Sequence, residues 1–184
     1  MLFRSHWSFG RVYDRLRRRC TTWDVALKMR LSAVKRLIKD AGLSGQKAPR
    51  IRAILSRVRA DFGEMSLDGL TALPPDEVQT YLLSLPGVGI KTAKCVMMYS
   101  LGFEVLPVDT HVWRVARRLE LVPMHLSYAA VHDTLEAIVT PPDRFSFHVN
   151  AIAHGRQVCL PLRPRCEACI LNRICPFPPR AKRR

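Results

Sequence analysis

Four cysteines near the C-terminal end have the spacing of a metal-binding group. They follow the pattern C-x6-C-x2-C-x5-C and are Cys159, Cys166, Cys169 and Cys175. Four thiolates this close together in a reducing compartment predict one tetrahedral centre, either zinc or an iron–sulfur cluster. The spacing leaves both open, because zinc sites usually pair two C-x2-C units and only one is present here. Cys20 and Cys95 lie on apolar helical faces and are expected to be small core residues.

The stretch L-P-G-V-G-I-K-T, residues 85–92, predicts two helices joined by a tight turn. With no Cβ atom, Gly87 and Gly89 can adopt positive φ and can let another backbone approach closely. The free N–H groups at the start of the second helix would form an anion site that fits a DNA phosphate. A turn that binds nothing is the alternative. Walker A and dinucleotide loops are excluded, because their spacing differs and a strand precedes them.

Lys91 is expected in the first turn of the second of these helices. The helix dipole disfavours a cation there and so favours the neutral amine, which can act as a nucleophile. A solvated surface lysine is the alternative interpretation. The loop L-P-L-R-P-R after the first cysteine of the cluster carries Arg163 and Arg165, which a metal-pinned loop would present to phosphates.

The charge of the chain favours a polyanionic partner. Thirty Lys and Arg residues against fifteen Asp and Glu give a net charge of +15. Residues 1–60 carry sixteen basic and three acidic side chains, residues 61–150 carry six and eleven, and residues 151–184 carry eight and one. Both ends are therefore basic, which favours nucleic acid over a merely solubilising surface. The runs Arg17–Arg19 and Lys182–Arg184 are individually weak indications.

Length and composition predict a folded protein with a helical core. With 184 residues, 48% of them apolar, the chain can bury a core as one domain or two small lobes. Its longest apolar run, residues 95–103, is shorter than the roughly 20 residues that span a bilayer. The start M-L-F-R-S-H-W does not resemble a secretory signal. We therefore expect no membrane association and a cytoplasmic or nucleoid location.

Apolar periodicity predicts helices nearly throughout and no alternating strand pattern, so the expected class is all-α. A first helix is expected with Val12, Leu16 and Cys20 on one face. Two further helices are expected to begin at the caps Thr22 and Ser44, and another is expected over residues 33–41. Further helices are expected from Pro74 to the hairpin, over 90–101, from Asp109, over 127–139 and over 144–158.

Three features together resemble the endonuclease III branch of the helix-hairpin-helix DNA glycosylases. They are L-P-G-V-G-I-K-T-A at residues 85–93, V-D-T-H at 108–111, and the C-x6-C-x2-C-x5-C run. Their order and intervals also agree with that family. The likeness extends from about residue 22 to residue 175.

The resemblance implies a role for each matching position. The hairpin residues Leu85, Gly87, Val88, Gly89 and Ile90 would hold a DNA phosphate. Lys91 stands at the family's nucleophile position, and Asp109 stands at its essential aspartate. The four cysteines would bind a [4Fe–4S] cluster, with zinc as the alternative. For Asp109 an ordinary N-cap is the competing interpretation, and His111 is a candidate contact with the same cleft or with a phosphate.

The implied fold has two helical lobes on either side of a DNA-binding cleft, with Lys91 on one side and Asp109 on the other. Residues 1–103 would form the lobe with the hairpin. Residues 104–184 would form the lobe with the cluster loop, 159–175, and a basic tail. Family members normally begin with further helices, so the resemblance also suggests a shortened N-terminus.

The implied activity is base-excision repair of double-stranded DNA that contains damaged bases or abasic sites. A bifunctional glycosylase and AP lyase would remove the base, expected to be an oxidised pyrimidine, and cleave the strand by β-elimination through a lysine Schiff base. Adenine glycosylases of the same superfamily lack this lysine, so Lys91 favours the bifunctional class. Monomeric action is expected. The alternative is a catalytically impaired or non-catalytic DNA-binding protein of the same fold.

Overall fold

The computed structural model describes residues 5–177, with side chains from residue 10 onward. The basic run Lys182–Arg184 lies outside the described residues. Within them the chain contains nine α-helices and no strand, which confirms the all-α class. The helices are α1 Ser5–Arg19, α2 Trp23–Lys28, α3 Leu31–Leu37, α4 Ser44–Phe62, α5 Pro75–Ser84, α6 Ile90–Ser100, α7 Thr110–Arg118, α8 Tyr128–Ile138 and α9 Arg144–Gln157. Short 3-10 turns lie at Lys39–Ala41, Asp68–Ala72, Pro141–Asp143 and Cys166–Ala168.

The chain divides into two compact units. The first contains the residues up to Pro74 together with Thr80–Val88, and the second contains Pro75–Gln79 and the residues from Gly89 onward. The division therefore falls inside the hairpin. Helix α6, which the sequence analysis placed in the first lobe, groups with the second unit. Lys91 and Asp109 consequently both belong to the second unit.

Each unit has its own apolar core. In the first unit α1, α3 and α4 bury Val12, Leu16, Val34, Ile38 and Ala48. The predicted apolar face of α1 is confirmed, and Cys20 is fully buried beside it. In the second unit α7, α8 and α9 pack around the segment that precedes α7, and the core residues are Leu106, Val108, Val112, Val115, Ala116, Val122, Val131, Leu135 and Ala151.

Two predicted helix caps differ from the structure. Ser44 is the first residue of α4 rather than its cap, and Leu43 occupies the cap position with a φ of 53°. Thr22 does precede α2, but its side chain makes no capping hydrogen bond. Tertiary packing therefore fixes these two helix starts. No helix among residues 5–177 is long and apolar enough to cross a membrane.

Candidate active site

The hairpin between α5 and α6 is held by its first residue. Leu85 is 4% exposed, and its carbonyl accepts a hydrogen bond from Val88 N at 3.1 Å. Gly87 has a positive φ of 78°. Gly89 has a φ of −103° and so does not use the positive φ that a glycine allows. Gly89 instead takes the extended conformation of an ordinary N-cap, and its carbonyl accepts from Ala93 N at 2.9 Å in the first turn of α6.

The space beside Gly87 is occupied by an arginine from α4, not by another backbone segment. A Cβ atom on Gly87 would lie 2.5 Å from Cδ and 2.9 Å from Nε of Arg50. The Arg50 side chain is exposed and takes part in none of the hydrogen bonds or ion pairs found among residues 10–177. An uncommitted guanidinium therefore lies at the turn that was predicted to bind phosphate.

Helix α6 presents Lys91, Cys95 and Tyr99 at successive four-residue intervals, which places them along one side of the helix. Lys91 and Tyr99 are exposed. Cys95 is half-buried, so the expectation that it is a core residue was only partly met. Cys95 and Tyr99 did not enter the predicted site, although their spacing from Lys91 is the signal that would have identified them.

Asp109 caps α7, as predicted, and part of its carboxylate remains available. Its Oδ1 atom accepts hydrogen bonds from the backbone N–H groups of His111 and Val112, both at 2.8 Å. Its Oδ2 atom makes no hydrogen bond with the residues that the structure describes. Capping and an electrostatic role can therefore coexist, because each uses a different oxygen atom.

The charges of Lys91 and Asp109 act on the same groups. Burial raises the pKa of the Cys95 thiol, Lys91 opposes that rise, and Asp109 adds to it. Burial likewise lowers the pKa of His148, with a raising contribution from Asp109 and a lowering one from Lys91. A neutral thiol and a neutral imidazole thus lie within the electrostatic range of both predicted catalytic residues. The arrangement can combine an amine nucleophile with a carboxylate that stabilises positive charge.

The segment that leads into Asp109 has no regular secondary structure, and side chains hold its backbone. The carbonyl of Leu106 lies 3.3 Å from His132 Nδ1, and the carbonyl of Pro107 lies 2.8 Å from His148 Nδ1. The carbonyl of Val108 accepts a hydrogen bond from the Tyr128 hydroxyl. None of these three side chains was predicted to belong to the site. No local sequence signal identifies them, because they come from α8 and α9, 20 to 41 residues away.

A buried ion pair holds the backbone of this segment at Leu106. Lys94 is 2% exposed, and its Nζ donates to Glu136 Oε1 at 2.7 Å. The same oxygen accepts from Leu106 N at 2.6 Å. Asp133 is more distant, at 3.8 Å from Lys94 Nζ, and is exposed. The pair joins α6 to α8 within the second unit.

His111 contacts Arg114 and is not free on the surface. It is half-buried, and its Nδ1 atom is 3.1 Å from Nη2 of Arg114. Because a guanidinium only donates, Nδ1 of His111 is the acceptor and the ring proton lies on Nε2. Arg114 also donates to the carbonyls of Gly155 at 2.6 Å and Cys159 at 2.8 Å. Arg114 thereby connects α7 to the first cysteine of the predicted metal centre.

The four cysteines line one pocket, together with Arg118, His154 and Phe177. Arg118 Nη1 donates to Cys159 Sγ at 3.2 Å, and Cys169 Sγ lies 3.6 Å from His154 Nε2. Burial raises the pKa of Cys166, and the other three thiols raise it further. The described residues contain no set of three or more His, Cys, Asp or Glu side chains already arranged as metal ligands. Four sulfur donors around one pocket nevertheless fit the chemistry of a thiolate-bound centre.

Arg163 and Arg165, the two predicted phosphate contacts beside this centre, are both exposed. Their side chains form none of the hydrogen bonds or ion pairs seen in the described part of the loop. Arg165 N donates to the carbonyl of Val158 at 2.9 Å, which ties the loop to the end of α9. Both guanidinium groups are therefore directed to solvent from a segment that is anchored at its backbone.

The hairpin, the lysine that follows it and the capping aspartate define a protein of the helix-hairpin-helix DNA-repair class. The chain belongs to the HhH-GPD superfamily of base excision DNA repair proteins, whose family description matches residues 8–141. Endonuclease III of Escherichia coli (strain K12) is 31% identical over 155 residues, covering 82% of this chain and 67% of that protein.

Two further similarities extend this assignment. The DNA glycosylase/AP lyase ROS1 of Arabidopsis thaliana is 30% identical over 170 residues, covering 83% of this chain and 12% of ROS1. The structure of a trapped endonuclease III–DNA covalent intermediate superimposes with a TM-score of 0.80 and 29% identity, covering 93% of this chain and 76% of that one. The chain spans only 8% to 14% of the length of three further relatives from Arabidopsis and rice.

Proposed function

We propose that this chain is a bifunctional DNA glycosylase and AP lyase of base-excision repair that acts on oxidised pyrimidines in double-stranded DNA. The observation that carries the proposal is that Lys91 lies exposed in the first turn of α6, directly after the hairpin, and that Asp109 caps α7 through Oδ1 alone, within the same unit of the fold. Membership of the HhH-GPD superfamily supports it. So do the names of ROS1 and of the covalent endonuclease III complex.

The proposed reaction uses each of the two residues for one task. A damaged nucleotide must leave the base stack, at a cost of roughly a few kcal/mol. As the glycosidic bond breaks, its electron pair leaves with the base, and the Asp109 carboxylate stabilises the positive charge that develops on the sugar. The Lys91 amine forms a bond to C1′, and opening of the sugar ring gives a protonated Schiff base. Loss of a C2′ proton then expels the 3′ phosphate by β-elimination.

The proposed DNA contacts lie in the hairpin, at His111 and in the loop after α9. The hairpin residues from Leu85 to Ile90 would hold a phosphate through their backbone, since Leu85 is itself buried in the core. Arg163 and Arg165 would contact phosphates farther along the duplex. His111 would take part through Nε2–H, because Arg114 engages its Nδ1 atom. Phosphate contacts of this kind make binding strongly dependent on salt.

The proposed cofactor is a [4Fe–4S] cluster held by Cys159, Cys166, Cys169 and Cys175. A cluster at this position would cross-link the loop after α9 and fix the exposed Arg163 and Arg165 relative to it. Its presence is tested by iron, sulfide and zinc analysis and by visible absorption of anaerobically purified protein. A brown preparation with iron and sulfide supports the proposal, whereas a colourless preparation with zinc alone would replace the cluster with a structural zinc site.

Activity is tested on duplexes that contain one thymine glycol, one mispaired thymine or one abasic site, each compared with undamaged DNA. Strand cleavage without alkali reports lyase activity, and the additional cleavage after alkali reports base removal. Cleavage of the thymine glycol duplex in both assays supports the proposal. Salt-dependent binding without cleavage of any duplex would instead support a non-catalytic DNA-binding protein.

A further inference from the structure

The three peptide carbonyls before Asp109 all point to side chains of α8 and α9. In a sheet such carbonyls would pair with a neighbouring strand, but the described residues contain no strand, and side chains take that place. The contact nearest the carboxylate is the hydrogen bond from Tyr128 to Val108, and the next is His148 Nδ1 to Pro107 at 2.8 Å. The two residues immediately before Asp109 are thus each held by a separate side chain.

We propose that His148 and Tyr128 are positioning residues for Asp109, which set the direction of its carboxylate through the carbonyls of Pro107 and Val108. The inference rests on the function proposed above, because it concerns residues that hold the backbone next to Asp109, whose catalytic role is itself proposed. Neither side chain is required to touch DNA. Both act on the peptide planes from which Asp109 extends.

The chemistry of the contacts fixes which atoms donate. A carbonyl oxygen only accepts, so His148 must carry its proton on Nδ1 and Tyr128 must donate its hydroxyl proton. His148 is 2% exposed, and burial lowers its pKa, which keeps the ring neutral near pH 7. A neutral imidazole with its proton on Nδ1 is therefore a fixed donor to Pro107.

His148 also contacts the helix that carries Lys91. Its ring lies 5.8 Å from the ring of Tyr99 in an edge-on arrangement, and Tyr99 is eight residues after Lys91 in α6. One buried side chain thus packs against the helix of the nucleophile and bonds to the segment of the carboxylate. Loss of the His148 side chain would loosen both the packing of α6 and the segment before Asp109.

Hydrogen bonds from α7 hold one oxygen of the carboxylate, and no described residue holds the other. Oδ1 is fixed by the α7 cap, but Oδ2 has no partner among the described residues, so its position follows the backbone at residues 107–109. A misplacement of about 1 Å can reduce a rate by about a hundredfold. Holding the two preceding carbonyls is an efficient way to prevent such a displacement.

The test separates donation to Pro107 from simple packing. His148→Phe keeps an aromatic ring against Tyr99 but removes the donor, whereas His148→Asn keeps a donor at the position of Nδ1. Thr134→Val is a matched control, because it removes another side-chain bond of α8, from Thr134 to the carbonyl of Ala130 at 2.9 Å, away from Asp109. All variants are compared for thermal stability, DNA affinity and single-turnover excision of thymine glycol.

We expect His148→Phe to slow excision by about tenfold or more while the affinity for the same duplex changes by less than about twofold. His148→Asn should recover most of the rate, Tyr128→Phe should slow excision in the same way, and Thr134→Val should leave the rate unchanged. Trapping on a preformed abasic site, where no base remains to be removed, should fall less than excision.

Two results would overturn the inference while leaving the proposed function intact. One is a folded His148→Phe variant with the excision rate of an active wild type. The other is a loss that His148→Asn does not relieve, or that reduces binding and excision equally. If His148→Phe does not fold, the comparison of Tyr128→Phe with Thr134→Val decides. A folded wild-type chain that excises none of the lesions would overturn the proposed function, and this inference with it.

Discussion

Arg50 lies against Gly87 at the tip of the hairpin, close enough that a Cβ atom on the glycine would be 2.5 Å from Arg50 Cδ. The positive φ of Gly87 favours glycine in the protein itself, before any DNA is bound, whereas the exposed Arg50 side chain can move aside from an added methyl group. The missing side chain of Gly87 allows the Arg50 stem to pass over the turn. This relationship links the shape of the hairpin to the placement of a cation beside it.

Gly87→Ala should destabilise the chain more than Gly89→Ala, which only replaces the N-cap residue of α6 by a poorer one. Alanine at the φ of Gly87 costs about 1–2 kcal/mol and would also displace Arg50. Gly89 has an extended φ of −103°, and no neighbouring atom lies within 4 Å of the place that an alanine methyl group would take, so alanine fits there. Thermal unfolding should therefore show a fall of about 2–8 °C for Gly87→Ala and a smaller fall for Gly89→Ala. Equal stabilities of the two variants would contradict the structure of the turn.

Arg50→Ala should weaken binding to lesion-containing DNA and to undamaged DNA by the same factor. If the free guanidinium contacts one phosphate, the slope of log affinity against log salt should decrease by about 0.9. Arg57→Ala is the matched control on the same helix, because Arg57 already bonds to Asp61 at 2.6 Å. Titrations of lesion-containing and undamaged duplexes over a range of salt concentrations measure both slopes. Identical slopes for the wild type and Arg50→Ala would exclude Arg50 from the interface.

Glu136→Ala should strongly destabilise the second unit. It would leave the Lys94 cation, 2% exposed, with only the more distant Asp133, and would remove the acceptor of Leu106 N. Breaking a buried pair in this way costs about 3–5 kcal/mol. Asp40→Ala is the comparison, because it breaks an exposed pair with Arg15 at the same 2.7 Å distance. Urea unfolding should show a far smaller loss in free energy of unfolding for Asp40→Ala than for Glu136→Ala. Similar losses for the two variants would show that burial of the Lys94 pair contributes little.

Stability should fall as the pH decreases from about 6.5 to about 4. Burial, aided by the Lys94 cation, lowers the pKa of His132 to about 4. Between these values the unfolded chain binds a proton at this histidine and the folded chain does not, so folding becomes less favourable as the pH falls. The effect amounts to at most about 3 kcal/mol. His132→Phe should show a smaller loss across this range in thermal unfolding, and parallel curves for the two proteins would contradict the assignment.

Local sequence patterns were sufficient for most of the fold. Apolar spacing predicted α1 through Val12 and Leu16, and the start of α7 at Asp109 followed from its capping chemistry. The four cysteines could be assigned to one pocket because they are close in sequence. Each of these features depends on residues within about one or two helical turns, where local rules apply.

The features that sequence did not predict depend on contacts between distant residues. Lys94 lies in an apolar stretch and is buried because Glu136, 42 residues later, compensates its charge. His148 was recognised only as a helical residue, since its partner Pro107 is 41 residues away. The sequence did not decide the φ of Gly89, because a glycine allows positive φ without requiring it. Tertiary packing decides these features, and rules based on alternation or spacing of residues do not predict tertiary packing.

Borohydride trapping tests the central claim, that Lys91 is the nucleophile. Reduction of a Schiff base between Lys91 Nζ and C1′ would leave a stable covalent complex of the chain with abasic DNA, visible on a denaturing gel. We expect the wild type and Lys35→Ala, which changes an exposed lysine of α3, to form the complex, and Lys91→Ala to form none. A folded Lys91→Ala variant that is trapped as efficiently as the wild type would contradict the account.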